Sequence, residues 1–402
     1  MFTILKLLVF SLLTYNSDSF LTPYGKNVRP NTKIYNSKST NDIDFMYAKE
    51  YYNFLKEYNI INVFGSDDKS TDKTKKYVKV CKKRLENYKI FERNFIKISD
   101  FNKKNSFTLG LNQFADTSNF DFGDLMKNPI EKNDIYKNDF KGLYQMVTSP
   151  RDYIEKYNNI SDSFIWDDKI IPNVKNQGRC GSCWAFSTTG SIEGLMRINK
   201  YCVDRLSEQE LVDCSTENYG CGGGLMDLAM DYCIENDGLT SNRDYPYTAR
   251  DGKCALKCDT DCNDKGCDHD CSNKDCDHDT KKLTDIKKIK GSKFKDYKYV
   301  IPRSVLDIKA SLKNSPISIA LDASHFAFRF YKDGVIDVPP TNSDQLNHAV
   351  LLTGYGKDVN GTYWIIQNSW GETWGDNGFC KIRAKNGDGV LLCQLYGVYP
   401  HY

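Results

Sequence analysis

Cys183 heads an apolar periodic run, Ala185, Ile192, Leu195 and Met196, whose spacing predicts a helix. A sulfur at a helix N-terminus meets unpaired amides and the positive end of the dipole, and both favour thiolate over thiol. A buried or disulfide-bonded cysteine is the blander alternative. A working thiolate also needs a base for its proton and a third group to hold that base. Five histidines are available, His269, His278, His325, His348 and His401. The first two lie in a cysteine-rich stretch and the last is one residue from the terminus, which leaves His325 and His348. His348 starts an apolar strand, and a second strand, Tyr363–Gln367, returns after a turn over 357–361 containing the hairpin pair Asn360-Gly361. The midpoint of His348 and Asn368 is position 358, inside that turn. Their side chains are therefore predicted to be near cross-strand neighbours. A lone histidine at a strand start is usually structural, but a facing amide that accepts from one ring nitrogen makes it a base.

The elements that must position these groups come from the whole chain. Its 402 residues allow two or three domains and a substantial core. A formal charge of +2 implies no nucleic-acid or membrane-surface partner. Fifteen cysteines favour an oxidising compartment with several disulfides, and the odd number fits one thiol kept free. Residues 1–19 read as a signal peptide: an apolar core over 3–13 too short to span a bilayer, then small and polar residues. No later stretch is apolar enough to cross, so no stable membrane anchor is expected. Residues 20–42 read as disordered. Helical patterns follow over Phe45–Tyr58 and Tyr77–Phe101, the second with Val80, Leu85, Tyr88, Phe91, Phe95 and Ile98 on one face. A polar looped insertion, Gly65–Lys75, separates them. The last third alternates apolar runs with Gly and Asn turns, as antiparallel strands do; Pro316–Ala323 and Ala349–Tyr355 are two such runs.

Two stretches stand apart. Gly222-Gly223-Gly224 permits a tight loop or a close backbone approach. Residues 255–280 repeat Cys258, Cys262, Cys267, Cys271 and Cys276 with interleaved aspartates, His269 and His278. Zinc binding is one reading; an acidic, disulfide-tied surface loop is favoured, because secretion oxidises thiols and no paired Cys-x2-Cys spacing is present.

Gln177 and Cys180-Gly181-Ser182-Cys183-Trp184 resemble the signature of papain-like cysteine proteases. Phe91, Asn94, Ile98 and Asn102, followed by Gly110-x-Asn112-x-Phe114-x-Asp116, resemble the inhibitory propeptide of cathepsin L-type enzymes. Lys83 and Asn87 stand where that family has Glu and Arg, so its internal ion pair is missing. The resemblance covers roughly residues 45–402. It implies an α+β, papain-like fold of two lobes, one helical with Cys183 and one antiparallel and barrel-like with His348 and Asn368. It further implies a helical propeptide over 20–155 with its core at 45–120, and a catalytic domain over 156–402 whose start lies between Ser149 and Ser163. Cys183 becomes the nucleophile, His348 the base, Asn368 its orienter, and Gln177 an oxyanion donor with the Cys183 backbone amide. Gly223 and Gly224 would pair with an extended substrate. Leu225, Met226, Ala320 and Leu346 would form an apolar pocket for the residue two before the cut. Asn347 and Trp374 would contact substrate on either side of it, and Trp370 of Asn368-Ser369-Trp370-Gly371 would shield the His348–Asn368 bond beside the substrate. Cys180 would pair with Cys221 and Cys214 with Cys254. The family's third bridge has no partner for Cys393, since Pro339-Pro340-Thr341 fills that region; Cys380 is one alternative, and Cys202 with Cys233 another pairing. Cys393–Pro400 is also shorter than the matching family segment.

The implied function is a cysteine endopeptidase made as a zymogen, acting through a thiolate–imidazolium pair and an acyl enzyme, with no metal or organic cofactor. No adjacent His pair marks the loop of dipeptide-removing relatives. Partners are protein or peptide substrates and the chain's own propeptide, the oligomeric state a monomer, and the location the secretory pathway, lysosome, vacuole or cell exterior. Asn159 and Asn360 sit in glycosylation triplets. Two rivals are an inactive binding homologue and a metal-binding module built on 255–280.

Overall fold

The computed structural model of the protein describes residues 47–58, 73–123, 126, 130–131, 156–201, 203, 205–256, 286–339 and 345–402. The leader, most of the Gly65–Lys75 loop, Cys202, the 155/156 junction and the cysteine-rich repeat lie outside them. Two units are separable.

The smaller unit is a pair of helices, α1 (Ala48–Glu57) and the first part of α2 (Lys73–Asn102), with residues 115–117. The apolar spacing read from the sequence buries Tyr88 and Phe91 in this unit, and Ile98 of the same helix is buried beyond its boundary. Tyr51 and Phe54 of α1 meet Phe91 with ring centroids at 5.1 and 5.2 Å. Helix α2 begins earlier than the sequence pattern, at Lys73. Asp116 Oδ2 accepts from the Tyr51 hydroxyl at 3.1 Å and from Asn87 Nδ2 at 3.3 Å.

The larger unit holds residues 97–114 and 118–402. Its first pieces are β1 (Thr108–Leu109), α3 (Asn119–Gly123), β2 (Ile130–Glu131) and β3 (Phe164–Ile165). Helices α4 (Cys183–Ile198), α5 (Glu208–Cys214) and α6 (Met226–Glu235) follow, and then β4 (Asp296–Tyr299), α7 (Val305–Leu312) and β5 (Ile317–Leu321). The rest is α8 (Phe326–Arg329), β6 (Tyr331–Asp333), β7 (Val335–Ile336), β8 (Gln345–Leu346), β9 (His348–Asp358), β10 (Gly361–Gln367), β11 (Phe379–Arg383) and β12 (Gly397–His401). Eight strands form one sheet in the order β4-β12-β5-β9-β10-β11-β7, with β3 against β9. Every pairing in it is antiparallel except β11 with β7. This is the α+β arrangement anticipated above.

Helix α4 is the seam between helices and sheet. Residues 183–196 are all buried, so the helix is enclosed on every side and not only along one stripe. Its side chains share one apolar cluster with Met226 and Met230 of α6, Ala320 of β5, Ala349 of β9 and Val398 of β12. Close approach requires glycine: a Cβ on Gly194 would come within 2.6 Å of Pro316 Cγ. Polar anchors complete the seam. The buried Lys175 ammonium donates to Glu193 Oε1 at 2.7 Å, Glu208 Oε1 at 2.5 Å and Thr189 Oγ1 at 3.2 Å, tying α4 and α5 to the strand-like run before Gln177. A charge so far from water needs such partners.

Candidate active site

The site is assembled where α4 begins, β9 begins and β10 ends. Cys183 is the first residue of α4; the preceding Ser182 makes no side-chain cap, and its carbonyl accepts from the Ala185 N–H at 2.9 Å. His348 opens β9 directly beside Leu321 of β5. The hairpin joining β9 to β10 is tighter than the sequence suggested. Asp358 faces Gly361, and a bulge between Ile365 and Ile366 shifts the register. Leu351 consequently faces Gln367, so His348 lies three residues beyond the last pair and Asn368 only one. They meet because the chain turns away after Gln367, where the Asn368 amide donates to Gly378 O at 2.9 Å. His348 Nε2 then stands 2.8 Å from Asn368 Oδ1.

That oxygen also accepts from the Ser369 backbone N–H at 2.8 Å. An acceptor serving two partners places the imidazole proton on Nε2 and leaves Nδ1 as the free lone pair. Nδ1 is buried and without a hydrogen-bond partner among the described residues. Trp370 stacks on the ring at 4.8 Å and 29°, covering the His348–Asn368 bond. The backbone N–H of Ala349, next to His348, hydrogen-bonds the Cys183 sulfur. Burial nevertheless pushes the thiol up to about 11, against the pull of the Ala349 and Trp184 amides. Burial likewise holds the imidazole down, to about 4, with the Asn368 bond acting the other way. Burial thus favours the uncharged form of each group taken by itself.

Gln177 is buried and fixed at both ends of its amide. Nε2 donates to Cys180 O at 2.9 Å, and Oε1 accepts from the Ser369 hydroxyl at 2.6 Å. An amide NH₂ has two hydrogens, so one remains for a substrate oxygen. The Gln177 N–H donates to Ser369 O at 2.9 Å. Ser369 thus holds Gln177 from across 192 residues of sequence. Sequence reasoning gave it no role, and its place beside Asn368 was the one available signal.

The other singled-out residues fall around these. Gly223 has φ +113°, and its carbonyl accepts from the Tyr219 N–H at 2.9 Å. A Cβ on Gly224 would meet Asn218 Oδ1 at 2.3 Å, so that position is closed to other side chains. Met226, Ala320 and Leu346 are fully buried in one cluster, with Leu225 half-buried against it and Leu395 and Tyr396 from the shortened C-terminal segment also present. Asn347 uses its amide internally: Oδ1 accepts from Ala323 N–H at 2.8 Å and Nδ2 donates to Asp322 at 2.9 Å. Trp374 is buried against Trp370 and Phe328, with its indole N–H on Arg329 O at 3.2 Å. Disulfides join Cys180 to Cys221 and Cys214 to Cys254. Cys380 and Cys393 are both free and buried, so the alternative bridge between them is not made.

Residues of the Gly-Asn-Phe motif lie on this unit. The Gly110 N–H donates to Phe330 O at 2.8 Å, Asn112 Nδ2 to Arg329 O at 2.7 Å and Gln113 Nε2 to Trp370 O at 2.7 Å. Phe114 and Phe122 meet Trp370 edge-on at 5.0 and 5.6 Å. Arg329 donates to Phe114 O at 2.7 Å and lies 4.3 Å from the Phe122 ring centroid. Strand β1 pairs with β6, and β2 sets Ile130 opposite Leu346.

A thiol at a helix start, an imidazole oriented by an amide and a second amide fixed by Ser369 are the kinds of group that cysteine-type hydrolysis uses. Residues 160–397 match the family described as papain family cysteine protease, and residues 51–122 match the cathepsin propeptide inhibitor domain. The chain is 36% identical over 302 residues to "Probable cysteine protease RD21B" of Arabidopsis thaliana, covering 74% of this chain and 56% of that one. It therefore spans little more than half the length of that relative. It is also 36% identical over 324 residues to Cathepsin L1 of Drosophila melanogaster, covering 77% of this chain and 78% of that protein. The solved digestive procathepsin L 3 from Tenebrio molitor larval midgut superposes with a TM-score of 0.65 at 25% identity, over 89% of this chain and 99% of that one. The chain belongs to the papain family of cysteine proteases and carries a cathepsin-type propeptide inhibitor domain.

Proposed function

We propose that the protein is a cysteine endopeptidase made as an inactive zymogen, with residues 20–155 as propeptide and 156–402 as the mature enzyme. The observation that carries this reading is the His348–Asn368 bond at 2.8 Å beside a Cys183 sulfur held by the Ala349 amide. The β2–β8 pairing sets Ile130, a propeptide residue in this reading, opposite Leu346. Once the propeptide is removed, water and substrate reach the site and the Cys183 proton passes to His348 Nδ1. The thiolate attacks a peptide carbonyl, and Gln177 Nε2 and the Cys183 N–H receive the oxyanion. His348 protonates the leaving amine, Asn368 holding the ring, and water then releases the acyl enzyme.

The cluster of Leu225, Met226, Ala320 and Leu346 supports a preference for an apolar residue two before the cut. Gly223 and Gly224 would receive the substrate main chain. Asn347, committed to Asp322 and Ala323, would shape the wall beside His348, and Trp374 would act from beneath Trp370. The leader sequence and two disulfides support passage through the secretory pathway. Among the described residues no helix is long and apolar enough to cross a membrane. Matured protein should be labelled by a peptidyl epoxide at acidic pH and cleave peptides with an apolar residue in that position. Cys183→Ala should abolish both; persistence of either in that variant would refute the assignment.

A further inference from the structure

Both oxyanion donors depend on backbone placement, and one side chain binds the two segments that carry them. The Tyr247 hydroxyl donates to Gln177 O at 2.8 Å and lies 2.6 Å from Ser182 Oγ. A carbonyl only accepts, so the tyrosine proton goes to Gln177 and Ser182 donates to the phenol oxygen. Ser182 immediately precedes Cys183, and both Gln177 and Ser182 are buried. The ring is itself braced edge-on against Phe186 of α4, with centroids 4.8 Å apart at 89°. Its backbone N–H reaches Asn242 Oδ1 at 3.3 Å. Tyr247 therefore spans from the Gln177 loop to the start of α4, between the residues that would offer N–H groups to one oxygen.

We propose that Tyr247 is a positioning residue of the oxyanion site, its hydroxyl setting the separation between the Gln177 side-chain amide and the Cys183 backbone amide. This rests on the roles assigned to Gln177 and Cys183 above. Tyr247 does not touch the reacting atoms; it acts through the spacing of two donors, and catalysis is sensitive to such spacing at the ångström scale.

The test uses Tyr247→Phe, which keeps the ring, and Ser182→Ala, each expressed as the full chain and matured. In Tyr247→Phe, kcat/KM should fall by about tenfold to a hundredfold, carried by kcat with KM within about twofold. A peptide aldehyde places a tetrahedral oxygen in the site, so its affinity should fall by a similar factor. A peptidyl epoxide bonds the same sulfur without an oxygen there, and its labelling rate should hold within about twofold. Ser182→Ala should show the same pattern at smaller size. Unchanged aldehyde affinity and kcat in both variants overturn the proposal. A parallel fall of aldehyde and epoxide reactivity also overturns it, by showing general damage to the site. A wild-type enzyme that neither cleaves peptides nor takes the epoxide at Cys183 sinks the underlying protease reading instead.

Discussion

At the scale of single residues, burial favours the uncharged forms of His348 and Cys183, and this has a sign. His348 binds its proton less readily in the closed fold than when exposed, so the unfolded chain takes up more protons between pH 6.5 and about 4. Stability from this group is complete above pH 6.5 and is lost as the pH falls through 4, by up to about 3 kcal/mol. Cys183 acts on the other flank: its neutral form is favoured in the fold, so stability is lost as the pH rises from 9 toward 11. Thermal midpoints of the full chain should thus fall off on both sides of these limits, and Cys183→Ala should remove this thiol's share of the alkaline decline alone, the buried Cys233, Cys380 and Cys393 thiols being pushed up as well. An alkaline decline of equal size in that variant would contradict the account. The residues themselves were legible because their chemistry is scarce: five histidines and one Cys-Gly-Ser-Cys-Trp leave few choices. Ser369 and Tyr247 were not legible as partners of Gln177, because a hydroxyl finding a partner 192 or 70 residues away leaves no periodic trace.

At the scale of elements, helix α4 and the β9–β10 hairpin carry the geometry. The sequence pattern located both, since apolar periodicity and an Asn-Gly turn are local signals. It erred on the register, because a bulge at Ile365–Ile366 has no local signature and the approach of His348 to Asn368 depends on it. Buried charge was also invisible from sequence. Lys175 bridges Glu193 and Glu208 in the interior, a pairing that no local pattern announces. Lys175→Met would leave Glu193 without its ammonium partner and Glu208 with Arg205 at 3.7 Å, and should cost about 3–5 kcal/mol, measured by urea unfolding. A loss below about 1 kcal/mol would show that the network adds little. Because α4 moves with this anchor, the variant should also slow labelling of Cys183 in the matured enzyme.

At the scale of the whole chain, composition alone fits any small helical domain before the catalytic part, and it was two spaced motifs that made the propeptide legible. The departure at Lys83 and Asn87 was readable too, but the hydrogen bonds from Tyr51 and Asn87 to Asp116 were not. Phe114 belongs to the second motif and seats its ring on Trp370. Phe114→Ala in the intact zymogen removes a buried aromatic contact, and epoxide labelling of Cys183 should then run at least about tenfold faster. Labelling no faster than in the unaltered zymogen would show that other contacts govern closure.

Trp370 faces two ways. One side of the indole roofs the imidazole, and Phe114 and Phe122 rest against the same ring system. No substitution there could make the precursor readier to wake without also blunting the awakened enzyme. A lineage under pressure for quicker activation would have to alter Phe114, Phe122 or Gln113, on the discarded side of the contact, and leave the tryptophan alone.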